Sequence, residues 1–276
     1  MPSYENDLRL ALRLADTADA ISLPRFGAAD LRVDSKPDLT PVSDADLAVE
    51  RAVRTLLAAE RPRDSVLGEE FGDSIPGARR RWVIDPIDGT KNFVRGVPVW
   101  ASLIALMVDE QFAVGVVSAP ALARRWWAGA GAGAYSSFNA SDPRRLRVSA
   151  VSVLADASLA YSDYSGWEAA GRGPQFRGLA DSCWRTRGYG DFYPYMLVAE
   201  GAVDVAAEPD LNLWDVAALV PVVTEAGGRF TGIDGHDVSL STPSALASNG
   251  LLHASVTGML DADAAGKVTR RQRIRR

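Results

Sequence analysis

The sequence predicts a single globular unit with a layered α/β or α+β sandwich fold. Segments with helical spacing of apolar residues alternate along the chain with short apolar runs that are typical of buried strands. Hydrophobic residues make up 47% and charged residues 24% of the 276 positions, which is the balance of a packed domain with a large core. Elements of both kinds in alternation pack as helices on sheets. We expect one unit over residues 1–276, with approximate halves at 1–145 and 146–260 and a basic tail at 261–276.

Two helices are predicted near the amino terminus. In residues 5–26 the apolar side chains recur at helical spacing, and Pro24 and Gly27 mark the end. The second helix begins after Ser43 or Asp44, since either residue is a good N-cap, and it ends before Pro62. A polar loop, residues 36–43, connects them.

Strands and further helices are predicted in the remainder of the chain. The predicted strands are residues 65–67, 81–85, 101–108, 112–118 and 125–128, segments around Leu146 and Leu159, and residues 203–207. The predicted helices are residues 192–201 and a single helix over residues 214–226, which Gly227 closes. The first two strands run directly into acidic turns, so carboxylates collect at strand ends.

Composition and charge exclude several classes of protein. A net charge of −5 argues against a general nucleic-acid binder. The longest apolar stretch, residues 97–108, is shorter than the roughly 20 residues that span a bilayer. No signal segment is evident, so we expect a cytoplasmic protein without a membrane partner. Both histidines, His236 and His253, are expected on the surface, which gives a phosphohistidine mechanism little support.

The most informative segment is Trp-Val-Ile-Asp-Pro-Ile-Asp-Gly-Thr-Lys-Asn-Phe at residues 82–93. A tight bend across Pro86 aims the carboxylates of Asp85 and Asp88 at shared hard cations, with the Ile87 carbonyl between them. The N–H groups of Gly89 and Thr90 then hold phosphate oxygens, especially where a helix starts. An Asp-x-x-Asp-Gly turn alone is more often structural, so a longer pattern has to decide.

Three other segments supply that longer pattern. They are Asp-Leu-Thr-Pro-Val-Ser-Asp-Ala-Asp at residues 38–46, Gly-Glu-Glu at 68–70, and Trp-Asp-Val-Ala-Ala at 214–218 followed by Glu-Ala-Gly-Gly at 225–228. In this order and approximate spacing they resemble the inositol monophosphatase-like family of Mg²⁺-dependent, lithium-sensitive phosphatases. The similarity reaches from the first helix to about Asn249. It implies an αβαβα-type sandwich, a small-molecule phosphate monoester as substrate, and a homodimer.

The resemblance also implies roles for individual residues. The matching metal ligands are Glu69, Asp85, the Ile87 carbonyl, Asp88 and Asp215, for two or three Mg²⁺ ions that Mn²⁺ can replace. Asp44 matches the aspartate that activates water and that also contributes to the metal site, although a role as a mere N-cap stays open. Glu69 and the Thr90 hydroxyl are the other implied catalytic groups. The implied phosphate contacts are Asp88, Gly89, Thr90 and Asp215.

The choice of alcohol falls to the second half of the chain. Arg-Gly-Tyr-Gly-Asp-Phe at residues 187–192 and Pro-Val-Trp-Ala-Ser at 98–102 look like the histidinol-phosphate phosphatase branch of that family. The substrate-binding candidates are Arg187, Asp191 and Glu208, with a purely structural role for Arg187 equally open. Acidic side chains pair well with the ammonium and imidazole groups of L-histidinol phosphate, which water would convert to L-histidinol and phosphate.

Other functions remain as alternatives. Inositol-1-phosphate or another sugar phosphate is the second substrate class, because Glu208 accepts hydrogen bonds from hydroxyls equally well. A glycosidase fits poorly, since it needs two carboxylates rather than four. A non-catalytic metal-binding scaffold is weakened by the presence of both Asp44 and Thr90.

Overall fold

The structure is a computed structural model that describes residues 4–37 and 39–261. The predicted basic tail therefore lies outside the described residues, apart from Asp261. In these two ranges no helix combines the length and the apolar character that are needed to cross a bilayer.

The described residues form nine α-helices and fifteen β-strands. The helices are α1 Glu5–Arg25, α2 Asp44–Glu60, α3 Thr90–Arg95, α4 Tyr164–Ala169, α5 Gly173–Ser182, α6 Tyr193–Ala199, α7 Leu213–Val216, α8 Leu219–Glu225 and α9 His253–Leu260. The strands are β1 Val33–Ser35, β2 Pro41–Ser43, β3 Ser65–Gly68, β4 Gly72–Asp73, β5 Arg80–Asp88, β6 Ala101–Val108, β7 Gln111–Ala119, β8 Arg124–Gly129, β9 Gly133–Phe138, β10 Arg144–Arg145, β11 Ser158–Tyr161, β12 Arg185–Gly188, β13 Val205–Glu208, β14 Arg229–Thr231 and β15 Ala245–Ser248.

Two sheets carry the fold, beside the small β1–β2 ribbon. The large sheet has eight strands in the order β10-β9-β8-β7-β6-β5-β3-β4, and the small sheet has five in the order β12-β11-β13-β15-β14. Most neighbours are antiparallel. The parallel pairs within the described part of the chain are β3–β5 in the large sheet, and β11–β12 and β11–β13 in the small one.

The large sheet buries both of its faces, and alternation along β5 shows how. Trp82 and Ile84 point to the side covered by α1 and α2, where they pack with apolar residues of those helices such as Leu14 and Val53. Val83 points to the other face, as the period of two along a strand requires. The consecutive apolar residues 82–84 in the middle of β5 therefore indicate a sheet that is covered on both sides.

Helices α6 and α8 fill the space between the two sheets. Met196 of α6 and Val222 of α8 belong to the same core cluster as Leu103 of the large sheet and Ala206 of the small sheet. On the far side of the small sheet, apolar residues of α4, α5 and α9 form a separate core. The order of layers is helix, sheet, helix, sheet, helix, so the predicted αβαβα sandwich is confirmed.

Two sequence expectations differ from the structure. The helix predicted over residues 214–226 is two helices, α7 and α8, because Pro221 has no N–H to donate to the carbonyl of Ala217. His253, expected on the surface, is only 4% exposed. Its ring nitrogens lie 2.9 Å from the hydroxyls of Thr231 and Ser248, which satisfy a buried imidazole.

Candidate active site

The parallel pair β3–β5 brings the acidic turns of the first half together. Carboxyl ends of parallel strands meet at one edge of a sheet, and here Glu69 follows β3 directly while Asp85 and Asp88 lie in the last four residues of β5. The N–H of Glu69 donates to the carbonyl of Ile84 over 3.2 Å, which ties the two strand ends together. The pairing of β5 with β6 shifts register between Asp85 and Asp88, so both carboxylates leave the regular strand at this irregularity.

Three carboxylates form the centre of the site. Asp85, Asp88 and Asp215 each offer an oxygen within 4.8 Å of the other two. One oxygen of each accepts a backbone N–H, from Ile87 over 3.0 Å, Phe192 over 2.8 Å and Asn212 over 2.7 Å, respectively. The main chain therefore fixes the direction of all three carboxylates before any ligand binds.

Electrostatics favour a divalent cation at this cluster. Burial raises the pKa of Asp85 and of Asp88 well above the ordinary value, and neighbouring acids raise both further. Burial likewise raises the pKa of Asp215 to about 7. A hard cation removes this repulsion, and a set of carboxylate and carbonyl oxygens is the donor set that Mg²⁺ and Mn²⁺ prefer. The residues present thus fit the metal site that the sequence indicates.

Glu69 lies beside this cluster and pairs with a lysine. Lys36 Nζ is 2.6 Å from Glu69 Oε1 and 2.7 Å from Glu70 Oε1. Burial disfavours the charged lysine, but the hydrogen bonds with the two glutamates outweigh it and raise the pKa of Lys36. Glu69 also contributes to the raised pKa of Asp85 and of Asp215, which places its charge near the cluster.

The structure does not bring Asp44 into the site, so the prediction for this residue is wrong. The Asp44 carboxylate accepts hydrogen bonds from Arg25 at 3.3 and 2.9 Å, and its side chain is 36% exposed. The N-cap of α2 is Ser43, whose side chain accepts from the N–H groups of Ala45 and Asp46. Asp44 is thus the first residue of the helix, and its carboxylate pairs with Arg25 and does not line the cavity.

Asp46, two positions later, takes the place expected for Asp44. Its Oδ2 accepts from the N–H and hydroxyl of Ser43 at 2.8 and 2.6 Å, which completes a capping box. Its Oδ1 lies 3.3 Å from Thr90 Oγ1, and that hydroxyl is 3.0 Å from the carbonyl of Ile87. Burial raises the pKa of Asp46 to about 6. The sequence signal that would have found it is Ser-x-x-Asp, with the acid at the third helical position.

Gly89 is the hinge between the carboxylates and helix α3. It has φ +86°, a left-handed conformation that favours glycine, and it is the N-cap of that six-residue helix. A Cβ at this position would lie 3.0 Å from both Asp191 Oδ2 and the carbonyl of Val99. The turn therefore passes close to the second half of the chain, and Gly89 and Thr90 line the same cavity as Asp88.

This cavity has a volume of about 570 Å³ and opens between the ends of the two sheets. Seven acidic and two basic side chains are among the described residues that line it. They are Glu69, Asp88, Asp163, Asp191, Glu208, Asp210 and Asp215, with Lys36 and Lys91. Such an excess of negative charge suits bound cations or a cationic ligand.

The small sheet supplies the far wall of the cavity. Glu208 ends β13, and its Oε1 accepts the hydroxyl proton of Ser162 over 2.7 Å. Burial raises the pKa of Glu208 to about 8. Asp191 has φ +48° and accepts from the side-chain amide of Asn92 over 2.8 Å, and burial raises its pKa to about 6. Both acids predicted to contact substrate therefore lie at the cavity.

Arg187 does not line the cavity. It is exposed on β12, the edge strand of the small sheet, and it donates to the carbonyl of Thr186. The amide of Asn92, rather than Arg187, holds Asp191. Lys36 and Tyr195 line the cavity without having been predicted, since neither stands in a motif whose residue types indicate chemistry.

Comparison with known proteins agrees with this geometry. Residues 4–270 match the inositol monophosphatase family. The chain is 59% identical to the histidinol-phosphatase of Mycobacterium tuberculosis and 58% identical to that of Streptomyces coelicolor, covering 93 and 95% of this chain and 98 and 99% of theirs. An inositol monophosphatase structure from Zymomonas mobilis superposes with a TM-score of 0.83 at 33% identity, over 94% of this chain and 99% of that one. The chain belongs to the inositol monophosphatase family and is a phosphoric monoester hydrolase.

Proposed function

We propose that this protein is a Mg²⁺-dependent histidinol-phosphate phosphatase, which hydrolyses L-histidinol phosphate to L-histidinol and phosphate. The observation that carries the choice of substrate is the 58–59% identity to two histidinol-phosphatases over nearly their whole length. The acidic small-sheet wall of the cavity supports it, because the substrate carries an ammonium group and an imidazole.

The metal ligands in this proposal are Glu69, Asp85, the Ile87 carbonyl, Asp88 and Asp215. When bound, two or three Mg²⁺ ions, or Mn²⁺ in their place, neutralise the phosphate and make water more acidic. The protein's contribution is a rigid set of oxygen donors, since backbone N–H groups already orient three of the carboxylates.

Thr90 and Asp46 orient the attacking water. The Thr90 hydroxyl has one proton, which it donates to Asp46 Oδ1 or to the Ile87 carbonyl, and its lone pairs are left to accept a hydrogen bond from water. Asp46 is the base that finally takes this proton, and its raised pKa of about 6 suits that task near neutral pH. Water attacks phosphorus as its proton passes through Thr90 to Asp46, the P–O bond to the alcohol breaks, and a second water in the site donates a proton to the alcohol oxygen that leaves.

The alcohol part of the substrate binds between Asp191 and Glu208. The Glu208 side chain is half-buried at the cavity wall, and desolvation raises its pKa to about 8, so its charge is disfavoured in the free protein. An ammonium or imidazolium group would supply the missing counter-charge, whereas a neutral polyol supplies only hydroxyl donors. The same wall therefore discriminates between cationic and neutral alcohols.

A direct test compares kcat/KM for L-histidinol phosphate and inositol-1-phosphate in the same Mg²⁺ buffer. We expect a clear preference for histidinol phosphate and no phosphate release in excess EDTA. A preference for inositol-1-phosphate would replace the substrate assignment and leave the phosphatase intact. Full activity in EDTA would overturn the metal requirement itself.

We also propose a cytoplasmic homodimer. This assignment is supported by the family resemblance rather than by a surface of the chain. Light scattering after size exclusion should give twice the chain mass of 29.5 kDa. A mass of one chain at micromolar concentration would exclude the dimer.

A further inference from the structure

Helix α2 carries a polar stripe on a face that is otherwise buried and apolar. Asp46, Glu50 and Arg54 are spaced four residues apart, so they lie above one another along the helix. The Glu50 side chain is 0% exposed and Arg54 is 19% exposed, and their Oε1 and Nε atoms are 2.7 Å apart. Burying a carboxylate this deeply costs folding free energy unless several hydrogen-bond donors surround it.

Glu50 holds the turn that presents Glu69. Its Oε2 accepts from the N–H of Glu70 over 2.8 Å, and its Oε1 accepts from the N–H of Phe71 over 3.2 Å. These are the two backbone donors that directly follow Glu69. Arg54 holds the flanking strands, since it donates to the carbonyls of Val66 and Gly72.

The residue before Glu69 is fitted to the same carboxylate. A Cβ on Gly68 would lie 2.0 Å from Glu50 Oε1, so the backbone can approach only because this position is glycine. Glu50 thus contacts the chain immediately before and after Glu69.

We infer that Glu50 is a positioning residue for the metal site, which sets the direction of Glu69 towards the Asp85–Asp88–Asp215 cluster. Asp46 stands one turn earlier on the same helix face and contacts Thr90. Helix α2 therefore aligns the turn of a metal ligand and the base with one rigid element. The inference rests on the metal site of the proposed function.

The test is Mn²⁺ binding by the substrate-free protein, measured by calorimetry for wild type and Glu50→Gln. The amide has one acceptor oxygen in place of two, so one of the N–H groups that hold the turn loses its partner. We expect the Kd for Mn²⁺ to rise about tenfold or more, as for other residues that orient ligands. At saturating metal, kcat should recover most of its wild-type value.

Asp204→Asn is the matched control. Asp204 is a buried carboxylate, 6% exposed, that accepts the N–H of Ser158 over 2.7 Å at the end of β13 away from the cavity. It loses the same kind of contact, so its thermal stability should fall while its Kd for Mn²⁺ stays at the wild-type value. A merely structural role for Glu50 predicts the same behaviour in Glu50→Gln.

An unchanged Kd in folded Glu50→Gln would overturn the inference and leave the proposed function standing. Wild-type protein that binds no Mn²⁺ would overturn both. Should Glu50→Gln fail to fold, Arg54→Gln replaces it, because it keeps the carboxylate and removes its counter-charge. A smaller rise in Kd is then expected, and an unchanged value would count against the inference.

Discussion

The two walls of the cavity use one topological feature for two kinds of binding. Among the described strands, each sheet mixes parallel and antiparallel pairs, one parallel pair in the large sheet and two of four in the small sheet, and the cavity lies at the carboxyl ends of the parallel strands. At the large sheet these ends place carboxylates within 4.8 Å of one another and of Asp215. At the small sheet they place Asp163, Asp191 and Glu208 around open volume. Close packing of acids suits a small cation, and wider spacing suits an organic ligand.

The largest expected effect is at the large-sheet wall. Asp88→Asn removes a charge from the carboxylate cluster, and we expect kcat to fall by about two to three orders of magnitude. The loss should be the same for histidinol phosphate and for a simple ester such as glycerol phosphate, because the cluster serves the phosphate. Steady-state kinetics on both substrates measure this. The exposed Asp109→Asn is the control, and unchanged turnover in Asp88→Asn would remove the distinction between the walls.

The next effect separates two neighbouring aspartates on α2. Asp46→Asn should lower kcat by about 10²-fold, since it loses a base that accepts a proton through Thr90. Asp44→Asn breaks only a partly exposed pair with Arg25, and pairs of this kind contribute little to stability. Its kcat should stay near that of wild type. The reverse order of the two variants would return the catalytic role to Asp44.

A smaller and substrate-dependent effect is expected at the small-sheet wall. Glu208→Gln should lower kcat/KM for histidinol phosphate about tenfold or more, which is the contribution of one hydrogen bond to a charged group. Glycerol phosphate, which is neutral in its alcohol part, should be hydrolysed nearly as before. Equal losses on both substrates would show that this wall does not select the alcohol.

The smallest effect concerns the pH dependence of the free energy of unfolding, through His253, which packs against the small sheet. Burial, and then the charge of Arg229, lower the pKa of His253 to about 4, so the folded state stays neutral while the unfolded state takes up a proton below about pH 6.5. The contribution of His253 to the free energy of unfolding should therefore decrease as the pH falls, by about 1 kcal/mol between pH 6.5 and 5.5. Urea titrations of wild type and His253→Gln measure the difference. An equal pH dependence in both proteins would exclude His253 as its source.

The large-sheet wall could be predicted from sequence because its residues are local. Asp85, Ile87 and Asp88 stand in one run, and the strand before them sets their place at the sheet edge. The layered fold followed from periodicity, and the family resemblance supplied the order of layers. The sequence did not predict that Asp46, rather than Asp44, reaches the site. Which of the two side chains faces the site depends on where the helix begins, because the direction of a side chain changes by about 100° from one helical residue to the next. The N-cap, Ser43, sets the first residue of the helix and therefore the direction of both side chains.

The small-sheet wall was harder to predict because three separate segments build it. Arg187 and Asp191 are four residues apart, yet β12 leaves Arg187 on an exposed edge while the chain turns inward at Asp191. Pro221 indicates the break between α7 and α8. The apolar pattern of residues 214–226 instead favoured one continuous helix, which is why the break was not predicted. The burial of His253 depends on hydroxyl partners that no local pattern reveals.

The glycine at the start of α3 limits how this chain can diverge. Gly27 and Gly89 both have positive φ, but a Cβ on Gly27 would meet nothing within 4 Å, whereas one on Gly89 would meet the second half of the chain. Asparagine tolerates this backbone region and meets no neighbour at position 27, whereas at position 89 its Cβ would crowd Asp191 and the carbonyl of Val99 at 3.0 Å. A side chain at position 89 would therefore have to displace Asp191 or Val99, so a change at this one residue alters both walls of the cavity together.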